Sequence, residues 1–234
     1  MHLERQNSSL RTNSARKKSR PIASGALSIK AAFGILVALL SLLCVFLKWS
    51  NSQLSLVILF YLALNIAYSF NLKKIVLFDV VILSVMYTLR IFAGAAAVDI
   101  EISNWLLNFS ILLFFSLACI KRCTELYGSK EKSIIDGRGY KPSDFNVVLG
   151  LGMGTGLISI LVTLLYFQSS EVKILYSQPQ KLWLITPVLL FWISRVWLLT
   201  NRGEVHDDPV LFAIKDRTSW LCLAGIMLIL FMAI

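Results

Sequence analysis

Charge is scarce in this chain. Asp, Glu, Lys and Arg together make up 15% of its 234 residues, too little to cover the surface of a soluble domain of that length. Histidine is nearly absent, with only His2 and His206. The four cysteines do not gather: Cys44, Cys119 and Cys222 lie inside apolar runs and Cys123 just beyond one. With no CxxC and no Cys/His spacing, neither a zinc site nor a disulfide framework has support. No aspartate occurs before Asp79.

What is present is hydrophobic. Apolar residues reach 57% and mean hydropathy is +0.72, against about 45–50% apolar in soluble domains. The formal net charge of +10 raises nucleic acid as a partner. However, the basic residues fall between apolar runs rather than on one soluble face, so no nucleic acid partner is expected. The first thirty residues are basic and polar before the sequence turns apolar, too long a lead for a signal peptide.

Seven apolar runs follow: Ala31–Leu47, Leu54–Phe70, Ile75–Val98, Trp105–Ile120, Val147–Phe167, Leu182–Thr200 and Trp220–Ile234. A helix needs about 20 residues to cross about 30 Å of hydrocarbon, so the polar flanks of the shorter runs are expected to extend them. The expected fold is an all-α, polytopic transmembrane bundle of about seven helices. A basic N-terminal segment (1–25) precedes a transmembrane domain (26–234).

Orientation follows from the positive charges. If the N-terminus is inside, nineteen Lys and Arg fall on the cytoplasmic side, ending with Arg195, Arg202, Lys215 and Arg217. Only Lys48, Lys173 and Lys181 fall outside, and Arg90 stays in the membrane. The positive-inside rule then puts the N-terminus in the cytoplasm and the C-terminus outside. The long mixed-charge loops, Lys121–Phe145 and Arg202–Ser219, share the cytoplasmic side, where function is expected.

Three clusters there have chemical potential. Arg16, Lys17, Lys18 and Arg20 place four cations within five residues, enough to clamp a phosphate or diphosphate by charge and hydrogen bonds. The same residues also serve as a topology signal that touches anionic lipid. At the end of the fourth run come Lys121, Arg122, Glu125 and Tyr127, then Arg138, Tyr140 and Asp144. Lys121 and Glu125 are four apart and share a helix face. That set has the mixture needed to hold a metal–diphosphate and orient an acceptor, or it is a surface ion pair worth little. The third cluster holds Arg195, Arg202, Asp207, Asp208 and Asp216. Asp207 and Asp208, with a third carboxylate eight residues on, suit Mg²⁺, which takes oxygen ligands. Asp208-Pro209 equally suits a helix start, with Pro at the first helical position.

Inside the membrane, Asp79 and Arg90 lie eleven apart, about three turns, and so point the same way. Both are expected to face the bundle interior, with Asp79 near the cytoplasmic end. The glycines of Gly150–Gly156 sit in an apolar run with no preceding strand, so they read as close helix packing rather than a nucleotide loop.

These motifs carry a resemblance. Arg20-Pro-Ile-Ala-Ser-Gly25, Tyr87-Thr-Leu-Arg-Ile-Phe-Ala-Gly94, Lys121-Arg-Cys-Thr-Glu125, Gly137-Arg-Gly-Tyr140 and Arg202-Gly-Glu-Val-His-Asp-Asp-Pro209 resemble the UbiA superfamily of intramembrane prenyltransferases. The nearest branch is the bacterial one that includes decaprenyl-phosphate phosphoribosyltransferase. The resemblance runs from about residue 16 to residue 234. It implies a nine-helix fold, of which the seven runs would be the third to ninth, and a cytoplasmic-side cavity for a polyprenyl chain. It also implies Mg²⁺ bridging acidic motifs and a diphosphate, and location in a bacterial inner membrane.

On this reading the chain is a transferase acting on a polyprenyl phosphate or diphosphate, with a diphosphate leaving group. One form of that activity is phosphoribosyl transfer to polyprenyl phosphate. Glu125 and Asp144 are the acidic catalytic candidates. Lys17, Lys18, Arg20, Lys121, Arg122, Arg138, Tyr140 and Arg195 are substrate-binding candidates, and Asp207 and Asp208 are metal-binding candidates. The family's first acidic motif, Asn-Asp-x-x-Asp-x-x-x-Asp, is replaced by Leu3, Glu4, Asn7 and Arg11. The chain therefore resembles a truncated or split member. Its expected rival role is an inactive lipid-phosphate-binding subunit, whose missing helices a second chain supplies.

Overall fold

The computed structural model describes residues 25–128, 139–205 and 208–234. Nine α-helices account for most of them: α1 (Ile29–Trp49), α2 (Ser52–Phe70), α3 (Phe78–Ala97), α4 (Asn104–Tyr127), α5 (Phe145–Phe167), α6 (Ser170–Leu175), α7 (Ile185–Asn201), α8 (Pro209–Lys215) and α9 (Arg217–Ala233). Short 3₁₀ turns lie at Leu72–Lys74, Pro142–Asp144 and Pro179–Leu184.

Among the described residues, six helical segments are long and apolar enough to cross a membrane. A seventh is counted if α8 and α9, bent by 81° at their junction, form one span. The chain is an integral membrane protein with an all-helical bundle. Flanks extend the apolar runs as expected, and most of all in α4. That helix continues through Lys121, Arg122 and Glu125 to Tyr127, where the sequence suggested a loop from Lys121 onward. Likewise the stretch after Arg202 is not all loop: it contains α8 and the start of α9.

The chain divides into two compact units, Met1–Leu59 and Phe60–Ile234. In the first, Ser28 caps α1 by accepting from the Ala31 N–H at 3.2 Å. No residue of α1 is buried. Its outward apolar residues, such as Phe33, Leu39 and Leu42, are what a lipid-facing helix displays, because hydrocarbon rather than water is the solvent.

The second unit is built around α4, with α3, α5 and α7 packed on it. Small residues explain the closeness. A methyl group added at Gly152 would run into the Trp197 ring, and one at Gly156 would lie 2.8 Å from Ser116 Oγ and 3.0 Å from Ile193. The glycine run thus serves helix packing, in line with the sequence reading. Ser116 stitches three helices together. Its hydroxyl donates to the Gly152 carbonyl of α5 at 2.7 Å and accepts from the Trp197 indole of α7 at 3.0 Å. In a medium where hydrophobicity does not drive helices together, such packing and hydrogen bonds must hold the bundle.

Antiparallel neighbours bring the start of α3, the end of α4, the start of α5, the end of α7 and α8 to one end of this unit. The other end is closed by a second apolar cluster, Phe167, Val172, Leu182, Ile185 and Ala233. There the Gln178 N–H donates to the Ala233 carbonyl at 3.0 Å.

Candidate functional site

Asp79 and Arg122 lie at the centre of the first end. Asp79 sits in the first turn of α3, where a carboxylate is favoured by the helix dipole, and is fully buried. Arg122, on the last turns of α4, is 1% exposed. Its Nε lies 2.8 Å from Asp79 Oδ2 as a close ion pair. Its Nη1 pairs with Glu125, one turn further along α4, and its Nη2 reaches the Tyr68 hydroxyl at 3.5 Å. Tyr140 completes the group from the segment before α5. Its hydroxyl donates to Asp79 Oδ1 at 2.6 Å and accepts from the Leu77 N–H at 2.9 Å.

The local backbone explains how Tyr140 gets there. Leu77 has φ of 64°, a left-handed conformation rare for such a residue, and its N–H is turned onto the tyrosine oxygen. Gly139 is the residue that lets the chain close in. A side chain there would lie 2.9 Å from the Lys74 carbonyl and from Val76. Tyr140 is itself completely buried. Burial, aided by its hydrogen bond to Asp79, pushes its hydroxyl above the ordinary tyrosine value, so it stays a protonated donor.

Above this buried group lies a more open layer. Lys121 Nζ donates to Asp208 Oδ2 at 2.7 Å, with the two side chains 33% and 23% exposed. Asp208 also caps α8, its Oδ1 accepting from the Val210 N–H at 3.1 Å. Glu125 is 32% exposed, and Lys74, Lys141 and Arg202 are exposed nearby. Gly203, with φ of 71°, folds the chain after α7 against the Tyr127 ring, where a methyl group would lie 2.6 Å from Cζ.

The structure thus brings together Lys121, Arg122, Glu125, Tyr140 and Asp208. It also changes several of the expected contacts. Lys121 pairs across to α8 and Glu125 pairs with Arg122, so the i,i+4 pair between Lys121 and Glu125 does not form. The reason is rotational: Arg122 points into the bundle with its Nε on Asp79, and its Nη1 comes within reach of Glu125, one turn on. Arg122 and Tyr140 lie beneath the mouth instead of on its surface.

Asp144 acts as a cap, its Oδ2 accepting from the Lys141 N–H at 2.8 Å. Arg195 makes a two-pronged contact with Asp216 at 2.7 and 3.0 Å, fastening α7 to α9. Asp216 in turn caps α9 by accepting from the Ser219 N–H at 2.9 Å. The third carboxylate expected beside Asp208 is therefore committed elsewhere. Lys17, Lys18, Arg20, Arg138 and Asp207 lie outside the described residues.

Arg90 departs from expectation. It is exposed rather than buried, with Nη2 donating to the Tyr61 hydroxyl at 2.8 Å and its guanidinium 4.8 Å from the Tyr87 ring centre. Tyrosine oxygens and aromatic faces partner a cation without a carboxylate. Asp79 alone of the two membrane charges enters the core.

Does this site suit Mg²⁺? Among the described residues no three carboxylates, histidines or cysteines converge. Asp208 has one oxygen on Lys121 and the other on a helix N-terminus. This donor set is neutralised by its own cations and helix ends, unlike the open oxygen-lined sites of Mg²⁺.

The aspartate in a membrane run already pointed to Asp79 as an inward-facing acid near the cytoplasmic end, within reach of the mouth; its pairing with Arg122 was not legible. Nothing in the local sequence marked Tyr68.

Residues 9–214 match the profile of the UbiA prenyltransferase family. The uncharacterized protein y4nM of Sinorhizobium fredii is 38% identical over 209 residues, covering 88% of this chain and 40% of that protein. The nodulation protein NoeC of Azorhizobium caulinodans is 31% identical over 217 residues, 91% of this chain and 70% of its own length. The decaprenyl-phosphate phosphoribosyltransferase of Mycolicibacterium smegmatis is 27% identical over 210 residues, 86% of this chain and 64% of that enzyme. The chain thus spans well under half of y4nM and about two thirds of the other two. No solved structure matches the chain significantly.

Proposed function

The chain belongs to the UbiA prenyltransferase family, and from that premise we propose that it binds a polyprenyl phosphate or diphosphate at the α4–α8 end of the bundle for group transfer. Phosphoribosyl transfer to a polyprenyl phosphate is the version favoured by the relatives named for that activity.

One observation carries the reading. Two partly exposed groups of opposite sign, Lys121 and Glu125, stand over a fully buried Arg122–Asp79 pair at this end of the bundle. A carbon–oxygen bond to diphosphate breaks more readily when cations neutralise the leaving oxygens. Lys121 supplies such a cation after exchanging Asp208 for phosphate. Glu125 is placed to orient the attacking group. Arg138 and the Lys17, Lys18 and Arg20 cluster are proposed as further phosphate contacts. Mg²⁺ is proposed on the family's chemistry alone: Asp208 gains a free oxygen for it only once Lys121 has turned to phosphate, and Asp207 is the other candidate ligand. We propose that this end lies on the cytoplasmic side of a bacterial inner membrane.

The test is a titration of the purified protein in detergent, at fixed ionic strength, with farnesyl phosphate and with inorganic diphosphate. A charged hydrogen bond contributes about 1.5–3 kcal/mol, so Lys121→Ala is expected to weaken binding about tenfold or more. Lys173→Ala, at the other end, leaves it unchanged. Equal binding by the parent and both variants would refute the reading. A parallel assay of phosphoribosyl transfer separates the transferase from a binding subunit, which shows the same Lys121 dependence without turnover.

A further inference from the structure

The two oxygens of Asp79 meet different partners. Oδ1 takes the Tyr140 hydroxyl at 2.6 Å and Oδ2 lies 2.8 Å from Arg122 Nε. A guanidinium is planar and rigid, so holding it at its Nε edge sets the direction of the other two nitrogens. Nη1 then meets Glu125, whose side chain is 32% exposed while Arg122 and Asp79 are closed off at 1% and 0%. The chain of contacts therefore runs from a buried loop hydroxyl, through a buried acid and a buried base, to an acid at the mouth.

We propose that Asp79 is a positioning residue of the polyprenyl-phosphate site: through Arg122 it sets where the Glu125 carboxylate stands at the mouth. The inference rests on the functional reading given above. Bundle stability by itself does not require this arrangement, because well-packed apolar residues replace buried ion pairs at little or no cost. A complete buried pair with one arm reaching an exposed acid has a geometric consequence that an apolar pair lacks.

The experiment separates geometry from stability. Asp79→Asn leaves a buried guanidinium short of a counter-charge and is expected to lower the unfolding midpoint. Asp79→Asn combined with Arg122→Met removes both charges and is expected to recover most of that loss. If Asp79 serves only the fold, the double variant regains binding along with stability. If it positions Glu125, the double variant is stable yet binds farnesyl phosphate about tenfold more weakly than the parent, because the released carboxylate turns to Lys121, four residues away on the same helix face, and competes with phosphate for that cation. Adding Glu125→Gln to the double variant removes that competing carboxylate and is expected to restore parental affinity.

Tyr140→Phe covers the case in which the double variant does not fold. It keeps both charges and removes only the hydroxyl that holds Asp79. Reduced affinity in that variant supports the inference, and parental affinity overturns it. A stable double variant that binds like the parent, or one whose loss persists when Glu125→Gln is added, also overturns it while leaving the functional reading intact. A parent chain that binds no probe overturns the functional reading, and this inference with it.

Discussion

At the scale of single residues, Tyr140 shows how much one hydroxyl holds. It donates to a buried carboxylate and accepts from a backbone N–H whose residue sits at positive φ. In Tyr140→Phe the Leu77 N–H loses the oxygen it donates to and Asp79 loses one of its partners, and a buried group left unsatisfied costs about 1–3 kcal/mol. A clear drop in the thermal unfolding midpoint in detergent is the expected result. The same hydroxyl gives a pH dependence with a definite sign. Its pKa is raised by burial and by Asp79, so the folded state holds the proton more tightly than the unfolded state. Its stabilisation is complete below the ordinary tyrosine value of about 10 and is lost as pH rises beyond it. Unfolding midpoints measured from pH 8 to pH 11 should fall in the parent chain above that value. In Tyr140→Phe that part of the decline should be missing.

At the scale of elements, two contacts decide how helices meet. Gly152 lets α5 lie against Trp197 of α7. The ring is 2% exposed and hydrogen-bonded to Ser116, so it has little freedom to yield. Gly152→Ala is therefore expected to destabilise the bundle by about 1–3 kcal/mol. Gly154→Ala, where nothing lies within 4 Å of the added methyl, should be close to neutral. Comparing their unfolding midpoints checks this directly. The second contact is Asp208, which caps α8 and pairs with Lys121. Asn is as good a cap as Asp, whereas Ala at this position costs about 1 kcal/mol, and a part-exposed ion pair contributes about 0–1 kcal/mol. Asp208→Asn should thus stay near parental stability, with Asp208→Ala measurably below it. Equal loss in both variants would mean that the ion pair, rather than the cap, holds α8.

At the scale of the whole molecule, the question is which end faces which compartment. The charge asymmetry predicts that the end bearing Lys121, Lys141 and Arg202 is cytoplasmic. In the structure, the C-terminal residues of α9 lie with Gln178 and Lys181 at the opposite end of the second unit. Two single-cysteine probes test the orientation, one replacing Ser143 and one added at residue 234, in a background cleared of native cysteines. A membrane-impermeant maleimide applied from outside should label position 234 and spare position 143. The reverse pattern would overturn the orientation and move the proposed site to the outer face.

Much of this was legible in the sequence, because the bilayer makes a severe solvent. Apolar runs of spanning length must become helices, since only helices satisfy their own backbone groups within the hydrocarbon. Run positions, helix number, the packing use of the glycines and the family resemblance all followed from that constraint and from the local motifs. The pairing of charges did not follow. Residues 79, 122 and 140 are remote in sequence, and whether Arg122 faces the mouth or the core depends on the rotation of α4 against α3. Local spacing favoured a Lys121–Glu125 pair on the helix surface, but the folded chain offered Lys121 an acid on α8 and gave Glu125 to Arg122. Arg90 shows the same limit, since the tyrosine that receives it is twenty-nine residues away. The sequence by itself determined what must cross the membrane, because burial in lipid is decided segment by segment. Only the tertiary structure decided which charges neutralise which, because that depends on distances between helices that no single segment encodes.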